Sequence, residues 1–134
     1  MLNIFQYLEK TKGKPIPFLF KLLNNLPLTE DELIYNGNLV SWFSDTISLP
    51  DNLTVNGHLD LYLSNIKSLP KNLIINSNLN INSTKISELP DDLIVAGNLW
   101  CIDTPLAKRI KKDKLLLSKY KKQVKGKIYY VCNF

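Results

Sequence analysis

The chain has 134 residues, of which 45% are hydrophobic and 22% charged, so it suits one compact domain with a core of its own. Residues 1–10 lack a basic start followed by an apolar run, and no stretch approaches the roughly 18 consecutive apolar residues of a membrane span, so we expect a cytoplasmic protein without a secretory signal. The net charge of +5 is unevenly spread, because residues 26–107 carry three lysines against ten carboxylates, whereas residues 108–134 carry ten basic residues against one carboxylate.

Residues 1–25 are predicted to form a helical N-terminal cap. Leu2 and Phe5 have helical spacing, and residues 17–26 give a second apolar helical pattern after a break at Gly13. A cap of this kind is expected where the end of a repeat array would otherwise expose apolar side chains.

Residues 26–105 contain a repeat of 20 residues. Three copies align without gaps from Leu49, Leu69 and Leu89, and a degenerate copy precedes them from Leu33. Mostly apolar columns recur at the same step: Leu33, Leu53, Leu73 and Leu93; Tyr35, Val55, Ile75 and Val95; Leu39, Leu59, Leu79 and Leu99; and Ser41, Leu61, Ile81 and Cys101. This regularity predicts stacked coils that share one continuous core, since no single coil can bury its leucines alone.

Each repeat contains two candidate strands and two corners. Leu79 and Ile81 alternate with polar residues, which predicts a half-buried strand, and Leu73 with Ile75 predicts a second strand on the opposite wall. Stacked copies of these strands form parallel sheets. Prolines mark one corner. Another corner, where Ser77 is the exception, is marked by glycines for which we expect positive φ angles: Gly37, Gly57 and Gly97.

Residues 79–90 read Leu-Asn-Ile-Asn-Ser-Thr-Lys-Ile-Ser-Glu-Leu-Pro. This order resembles the core pattern of the leucine-rich-repeat family, Leu-x-Leu-x-x-Asn-x-Leu-x-x-Leu-Pro, with Thr84 in the place of Asn. The resemblance implies a mainly β solenoid of about four 20-residue turns, with a helical N-terminal cap and an α/β C-terminal cap. In the family the Asn column bonds turn backbone, and here we expect hydroxyls to do so: Ser44, Ser64, Thr84 and Thr104.

The segment after the repeats, 106–134, is predicted to form a basic C-terminal cap. A Thr-Pro pair ahead of it opens a helix that is expected to end at about Lys112, and Asp113 is expected to cap a second helix that ends near Gly126. The last stretch, 127–133, is predicted to be a strand added to the open edge of the sheet.

Side chains with catalytic potential are sparse, and the sequence predicts a protein that is not an enzyme and uses neither a metal nor a cofactor. Its one histidine, His58, falls in an outward column with three asparagines, where we expect a solvated side chain. Cys101 falls in a core column, where packing makes a thiol inert. Cys101 and Cys132 are expected to be free thiols.

The outward columns of the strand around residue 80 form the candidate docking surface. Exposed aromatic side chains beside polar ones are typical of protein interfaces. The terminal caps are an alternative cover for Trp42 and Trp100, and the sequence leaves this open. An apolar column on the opposite wall, with Ile34 and Ile94, is interpreted as the seat of a cap helix, and a second contact surface is the alternative. The candidate protein-binding residues are Trp42, Asp60, Tyr62, Asn80, Asn82, Trp100 and Ile102.

We therefore predict a non-enzymatic protein–protein interaction module, of undetermined oligomeric state. The repeats are similar to those of small bacteriophage and bacterial proteins, which implies an accessory protein that binds and inhibits a host protein, such as a CRISPR-type defence nuclease complex, in the host cytoplasm. Two alternatives are open: a structural or scaffold component of a virion, and a nucleic-acid-binding protein. The second would act through the basic cap: Lys108, Arg109, Lys111, Lys112, Lys119, Lys121, Lys122 and Lys125.

Overall fold

The 20-residue period folds into stacked coils, and each coil contributes one short strand to each of two parallel sheets. The structure is a computed structural model that describes residues 21–22, 26–41 and 49–131. The strands of the first four coils are β1 (Ile34–Asn36) and β2 (Leu39–Val40), β3 (Thr54–Asn56) and β4 (Leu59–Asp60), β5 (Ile74–Ile75) and β6 (Leu79–Asn80), and β7 (Ile94–Val95) and β8 (Leu99–Trp100). A short 3-10 helix, Asp31–Leu33, precedes β1. The predicted mainly β solenoid is thereby confirmed.

The register between coils follows the repeat. The strands β1, β3, β5 and β7 form one wall, and β2, β4, β6 and β8 belong to the other. Leu59 pairs with Leu79, and Leu79 pairs with Leu99, so each residue lies beside its counterpart in the next coil. Most residues of the predicted columns point inwards and are almost fully buried, and burial of each such side chain contributes about 2 kcal/mol: Leu39, Leu53, Val55, Leu59, Leu61, Leu73, Ile75, Leu79, Ile81, Leu93, Val95 and Leu99. Leu33 and Tyr35 of the first coil are only half-buried.

The glycine corner has a different cause from the one expected. Of the three predicted glycines only Gly37 has a positive φ, of 132°. A β-carbon added at Gly57 would collide with the carbonyl group of Gly37, and one added at Gly97 would collide with the backbone of Ser77 and the side chain of Asn78. The predicted positive φ is therefore wrong for Gly57 and Gly97, where glycine is needed because adjacent coils lie too close for a side chain. Left-handed residues occur at other corners: Asn52, Leu63, Asn72, Ser83 and Asp103.

Many of the side chains that bridge successive coils are asparagines. The Nδ2 of Asn56 donates to Oδ1 of Asn36 at 2.8 Å, and the Nδ2 of Asn76 donates to Oδ1 of Asn56 at 2.7 Å. Two members of the predicted hydroxyl column bond turn backbone, and they do so within their own coil: Oγ1 of Thr84 donates to the carbonyl of Ile81 at 2.8 Å, and Oγ1 of Thr104 donates to that of Cys101 at 2.6 Å. The prediction is wrong for Ser64, whose buried Oγ has no hydrogen-bond partner among the described residues. The described members of the hydroxyl column therefore do not bridge successive coils.

After the fourth coil the chain leaves the solenoid as two helices. The Thr104 hydroxyl caps α1 (Pro105–Lys112) and the Asp113 carboxylate caps α2 (Lys114–Lys121), and each accepts a backbone N–H bond at 3.0 Å, as predicted. The expected end of the second helix near Gly126 is wrong, because α2 ends at Lys121.

The chain then makes most of a fifth coil. Val124 bridges to Val95 in one wall, and β9 (Ile128–Tyr129) pairs in parallel with β8 in the other. Gly126 takes the place of the corner glycines, and its N–H donates to the carbonyl of Gly97 at 2.9 Å. The predicted strand at the edge of the sheet is confirmed over the length of β9, and it brings this wall to five strands.

The N-terminal cap predicted for residues 1–25 lies almost wholly outside the described residues, as do Trp42, Ser44 and Cys132. Leu22, which is described, is 5% exposed and belongs to the buried core. None of the helices in the described ranges has the length and hydrophobicity of a membrane-spanning segment.

Candidate recognition face

One wall of the solenoid turns a set of mixed aromatic, aliphatic and polar side chains towards solvent. Strand residues alternate in direction, so the inward leucines leave their neighbours pointing outwards. In the five-stranded sheet these positions and the turn residues after them form what we call the recognition face: Val40, Asp60, Tyr62, Asn80, Asn82, Trp100, Ile102 and Tyr129. The parallel ladder fixes the backbone beneath them, so their spacing is set before any partner arrives.

Two stacked rings form one end of the recognition face. The register of β9 places Tyr129 beside Trp100, with ring centroids 3.9 Å apart and planes inclined by 14°. Trp100 is half-buried, so the C-terminal cap extends the aromatic surface sideways and does not fold over it. At the other end Val40 is 47% exposed. Apolar surface therefore flanks the face on both sides.

Polar side chains with fixed orientations occupy the centre. The Oδ1 atom of Asp60 accepts the N–H of Tyr62 at 3.1 Å, and that of Asn80 accepts the N–H of Asn82 at 2.9 Å. The Oδ1 atom of Asn82 in turn accepts the N–H of Ile102 at 2.7 Å. Because these oxygens are committed to backbone, the Nδ2 groups of Asn80 and Asn82 and the second oxygen of Asp60 are the groups left for a partner. A matching surface offers acceptors to the amides and a donor to the carboxylate.

A shallow depression of about 430 Å³ crosses this centre. It brings together Asp60, Asn80, Asn82 and Trp100 of the seven predicted protein-binding residues. Tyr62 and Ile102 follow in the adjoining turns, and Tyr62 is 36% exposed. Trp42 lies outside the described residues. Val40 and Tyr129 are the face residues that the sequence-based set lacks.

His58 lies at the rim of the depression and belongs to a bridging column. Its Nδ1 atom lies 3.2 Å from the backbone nitrogen of Asn78 and 2.8 Å from Oγ of Ser77. In the same column Oδ1 of Asn38 accepts the N–H of His58 at 2.9 Å, and Oδ1 of Asn78 accepts that of Asn98 at 2.8 Å. His58 is exposed as predicted, but its ring bonds the next coil and is not merely solvated. With Nδ1 as the acceptor, the neutral ring carries its hydrogen on Nε2.

Cys101 is a free thiol inside the core, as predicted. Burial raises its pKa to about 12, so the thiol is protonated at neutral pH and is a poor nucleophile. Within the described ranges no group of three or more His, Cys, Asp or Glu side chains could hold a metal ion.

The C-terminal cap presents the predicted basic residues on its surface. All eight are exposed, but Nη1 of Arg109 donates to the carbonyl of Ser87 at 2.6 Å, and Nζ of Lys119 lies 3.0 Å from Oδ1 of Asp91. The hydrogen bond to Asp91 raises the pKa of Lys119. The other six form no ion pair with a carboxylate of the described residues: Lys108, Lys111, Lys112, Lys121, Lys122 and Lys125.

The opposite wall carries an exposed apolar column. Ile34 is 52% exposed and Ile94 is 45% exposed. The two helices of the described C-terminal cap leave both residues uncovered. No described helix therefore packs on this column, where a cap helix was expected.

No protein family, no curated protein and no solved structure matches the chain in comparisons with known proteins. The fold defines a class of architecture, a β-solenoid of parallel strands followed by an α/β segment that adds one more strand. The leucine-rich-repeat resemblance rests on the sequence pattern.

Proposed function

We propose that this protein is a non-enzymatic module that binds another protein through the recognition face. The observation that carries the proposal is the stacked Trp100–Tyr129 pair, held at one end of a rigid sheet surface. Rigid aromatic side chains beside fixed polar groups form the energetic centres of many protein interfaces. The aromatic pair supplies apolar contact area, and Asp60, Asn80 and Asn82 supply directional hydrogen bonds that select the partner.

A narrower form of the proposal concerns the partner. Because the repeats are similar to those of small phage and bacterial proteins, we propose that the partner is a host protein in the host cytoplasm, such as a CRISPR-type defence nuclease complex. A rigid face that occupies a working surface of such a complex inhibits it without any chemistry of its own.

Affinity capture from bacterial lysate tests the proposal, followed by calorimetric titration of the purified partner. Tyr62→Ala combined with Trp100→Ala should weaken binding by about 30-fold or more, since truncation of an aromatic anchor costs about 2 kcal/mol. The matched control, Ile34→Ala combined with Ile94→Ala, removes exposed apolar side chains from the opposite wall and should leave the affinity unchanged. Loss of binding in the control alone would move the interface to that wall and refute the proposal.

Nucleic-acid binding is the second candidate, and the six exposed basic residues of the cap without a carboxylate partner favour it. Binding of this kind releases counterions, so affinity in a gel-shift assay should fall steeply with salt. Lys121→Glu combined with Lys122→Glu should reduce the slope of log affinity against log salt concentration by about one to two, because fewer counterions are released. Absence of a shift at low salt would eliminate this candidate.

A further inference from the structure

In the described part of the chain, the fifth coil leaves one edge of the five-stranded sheet without a further strand. In this sheet inward residues donate their N–H to the next coil: Leu99 donates to the carbonyl of Lys127, and Cys101 donates to that of Tyr129, both at 2.9 Å. Ile128 holds the place of Leu99 in β9, and β9 is the last strand of the sheet in the described part of the chain. The N–H and carbonyl of Ile128 therefore point along the sheet plane to where another strand would pair.

A groove of about 520 Å³ follows this edge between β9 and α2. Apolar side chains of Leu117, Val124 and Ile128 line it, so an incoming strand finds apolar surface as well as backbone partners. The groove is also strongly basic, because its described lining contains no Asp or Glu and includes three exposed lysines: Lys121, Lys125 and Lys127.

We propose that this groove binds an extended acidic segment of a partner protein, which adds to β9 as one more strand of the sheet. Successive side chains of a strand point in opposite directions. A segment that alternates acidic and apolar residues therefore places its acidic side chains near Lys127 on the outer side and its apolar side chains against Ile128 on the inner side. Main-chain bonds supply affinity, and the lysines supply selectivity for acidic sequences.

Charge favours this occupant over a second copy of the chain. Two copies paired edge to edge through β9 would bring the same three groove lysines together, and like charges directly opposite one another destabilise a strand pair. The groove shares Tyr129 with the recognition face, but the two proposals are tested on different residues, so failure of this inference leaves the proposed function untouched.

The test is an NMR titration of the full chain with blocked hexapeptides. A peptide of alternating Glu and Val should produce saturable shifts of the β9 and α2 amides, and its Lys–Val counterpart should bind at least tenfold more weakly. Lys125→Glu combined with Lys127→Glu should weaken binding of the Glu–Val peptide at least tenfold. The matched control, Lys108→Glu combined with Lys111→Glu, makes the same change of net charge on α1 and should change the affinity less than threefold. Absence of shifts at millimolar peptide would overturn the inference.

Backbone pairing is tested separately from charge. Two further Glu–Val peptides carry N-methyl groups either on every Glu or on every Val, which removes the donors from one edge of the strand or from the other. Only one of the two should bind, because only one edge of the added strand faces β9. Equal binding of both would show attraction by charge alone and refute strand addition. Shifts of the β9 amides on dilution of the protein alone would assign the edge to a second copy instead.

Discussion

At the level of single residues, His58 shows what a bridging column requires. Its Nδ1 atom accepts the N–H of Asn78, as Oδ1 of Asn78 accepts that of Asn98. The column needs a hydrogen-bond acceptor at a fixed distance from the backbone of the next coil, and an imidazole nitrogen provides one as well as an amide oxygen does. This role explains an isolated histidine without reference to catalysis.

We expect His58→Ala to lower the free energy of unfolding by about 1 kcal/mol, because the backbone N–H of Asn78 loses its acceptor. His58→Asn should stay within about 0.5 kcal/mol of the parent, since it restores the acceptor found elsewhere in the column. Urea titrations of the three proteins measure the difference. Equal losses in both variants would mean that contacts of the ring, and not its acceptor, matter at this position.

The corner glycines mark the limit of sequence reasoning at this level. The repeat period identified Gly57 and Gly97 as corner residues. It shows that glycine recurs at this position, but it does not show which structural requirement makes glycine necessary there. Positive φ and close approach both favour glycine. Only the position of the neighbouring coil distinguishes them, and here the collision of a β-carbon with that coil decides.

At the level of elements, α2 is fastened to the solenoid by one buried side chain. Tyr120 is 1% exposed, and its hydroxyl oxygen accepts the N–H of Leu89 at 3.2 Å. Leu89 opens the fourth coil, so this bond connects the helical excursion to the repeat that precedes it. A ring of this size buried against the core also secures the start of the fifth coil, which follows within a few residues.

Tyr120→Phe should lower the free energy of unfolding by about 1–2 kcal/mol, because the ring stays in place while the buried N–H of Leu89 loses its partner. The matched control is Tyr130→Phe, which removes only an exposed bond to Nζ of Lys114 at 3.1 Å and should cost less than about 0.5 kcal/mol. Chemical denaturation followed by circular dichroism checks both values. A similar cost for the two variants would contradict the anchoring role of Tyr120.

The fifth coil is the element that the repeat pattern did not reveal. Val124 and Ile128 follow Val95 and Leu99 by 29 residues, not 20, because α1 and α2 are inserted between them. A search of the sequence for repeats of exactly 20 residues does not detect such a copy, although Gly126 occupies the position of the corner glycines. Tyr129 is missing from the predicted face for this reason. The other coils keep the exact period, so their core and their face residues could be predicted from the sequence.

At the level of the whole molecule, charge is polarised along the solenoid. Residues 26–107 carry three lysines against ten carboxylates, and residues 108–134 carry ten basic residues against one. A long polyanion that runs along the coils meets repulsion over most of its length, whereas an acidic segment that contacts only the cap meets attraction alone. The polarity therefore fits a compact acidic partner at the open edge better than an extended nucleic acid.

Cys101 makes opening of the solenoid measurable, because its thiol lies in the core of the fourth coil. Only a thiolate reacts with a disulfide reagent such as DTNB, and burial raises the pKa of Cys101 from 9.0 to about 12. The thiolate fraction at neutral pH is thus about a thousandfold lower than in the unfolded chain. In a Cys132→Ser background, labelling of the native protein should be slower than labelling of the unfolded protein by at least about that factor.

The same shift gives stability a pH dependence with a definite sign. Below pH 9.0 the thiol is protonated in both states, so Cys101 adds no pH dependence; between pH 9.0 and about 12 the unfolded chain loses this proton and the folded chain keeps it. The free energy of unfolding should therefore fall through that range, and Cys101→Ala should make this fall with pH less steep.

Rapid DTNB labelling of the native protein at neutral pH would contradict the labelling prediction, because it would show that the coils separate locally. The recognition face is built on these coils, so its side chains would then not be fixed before a partner binds.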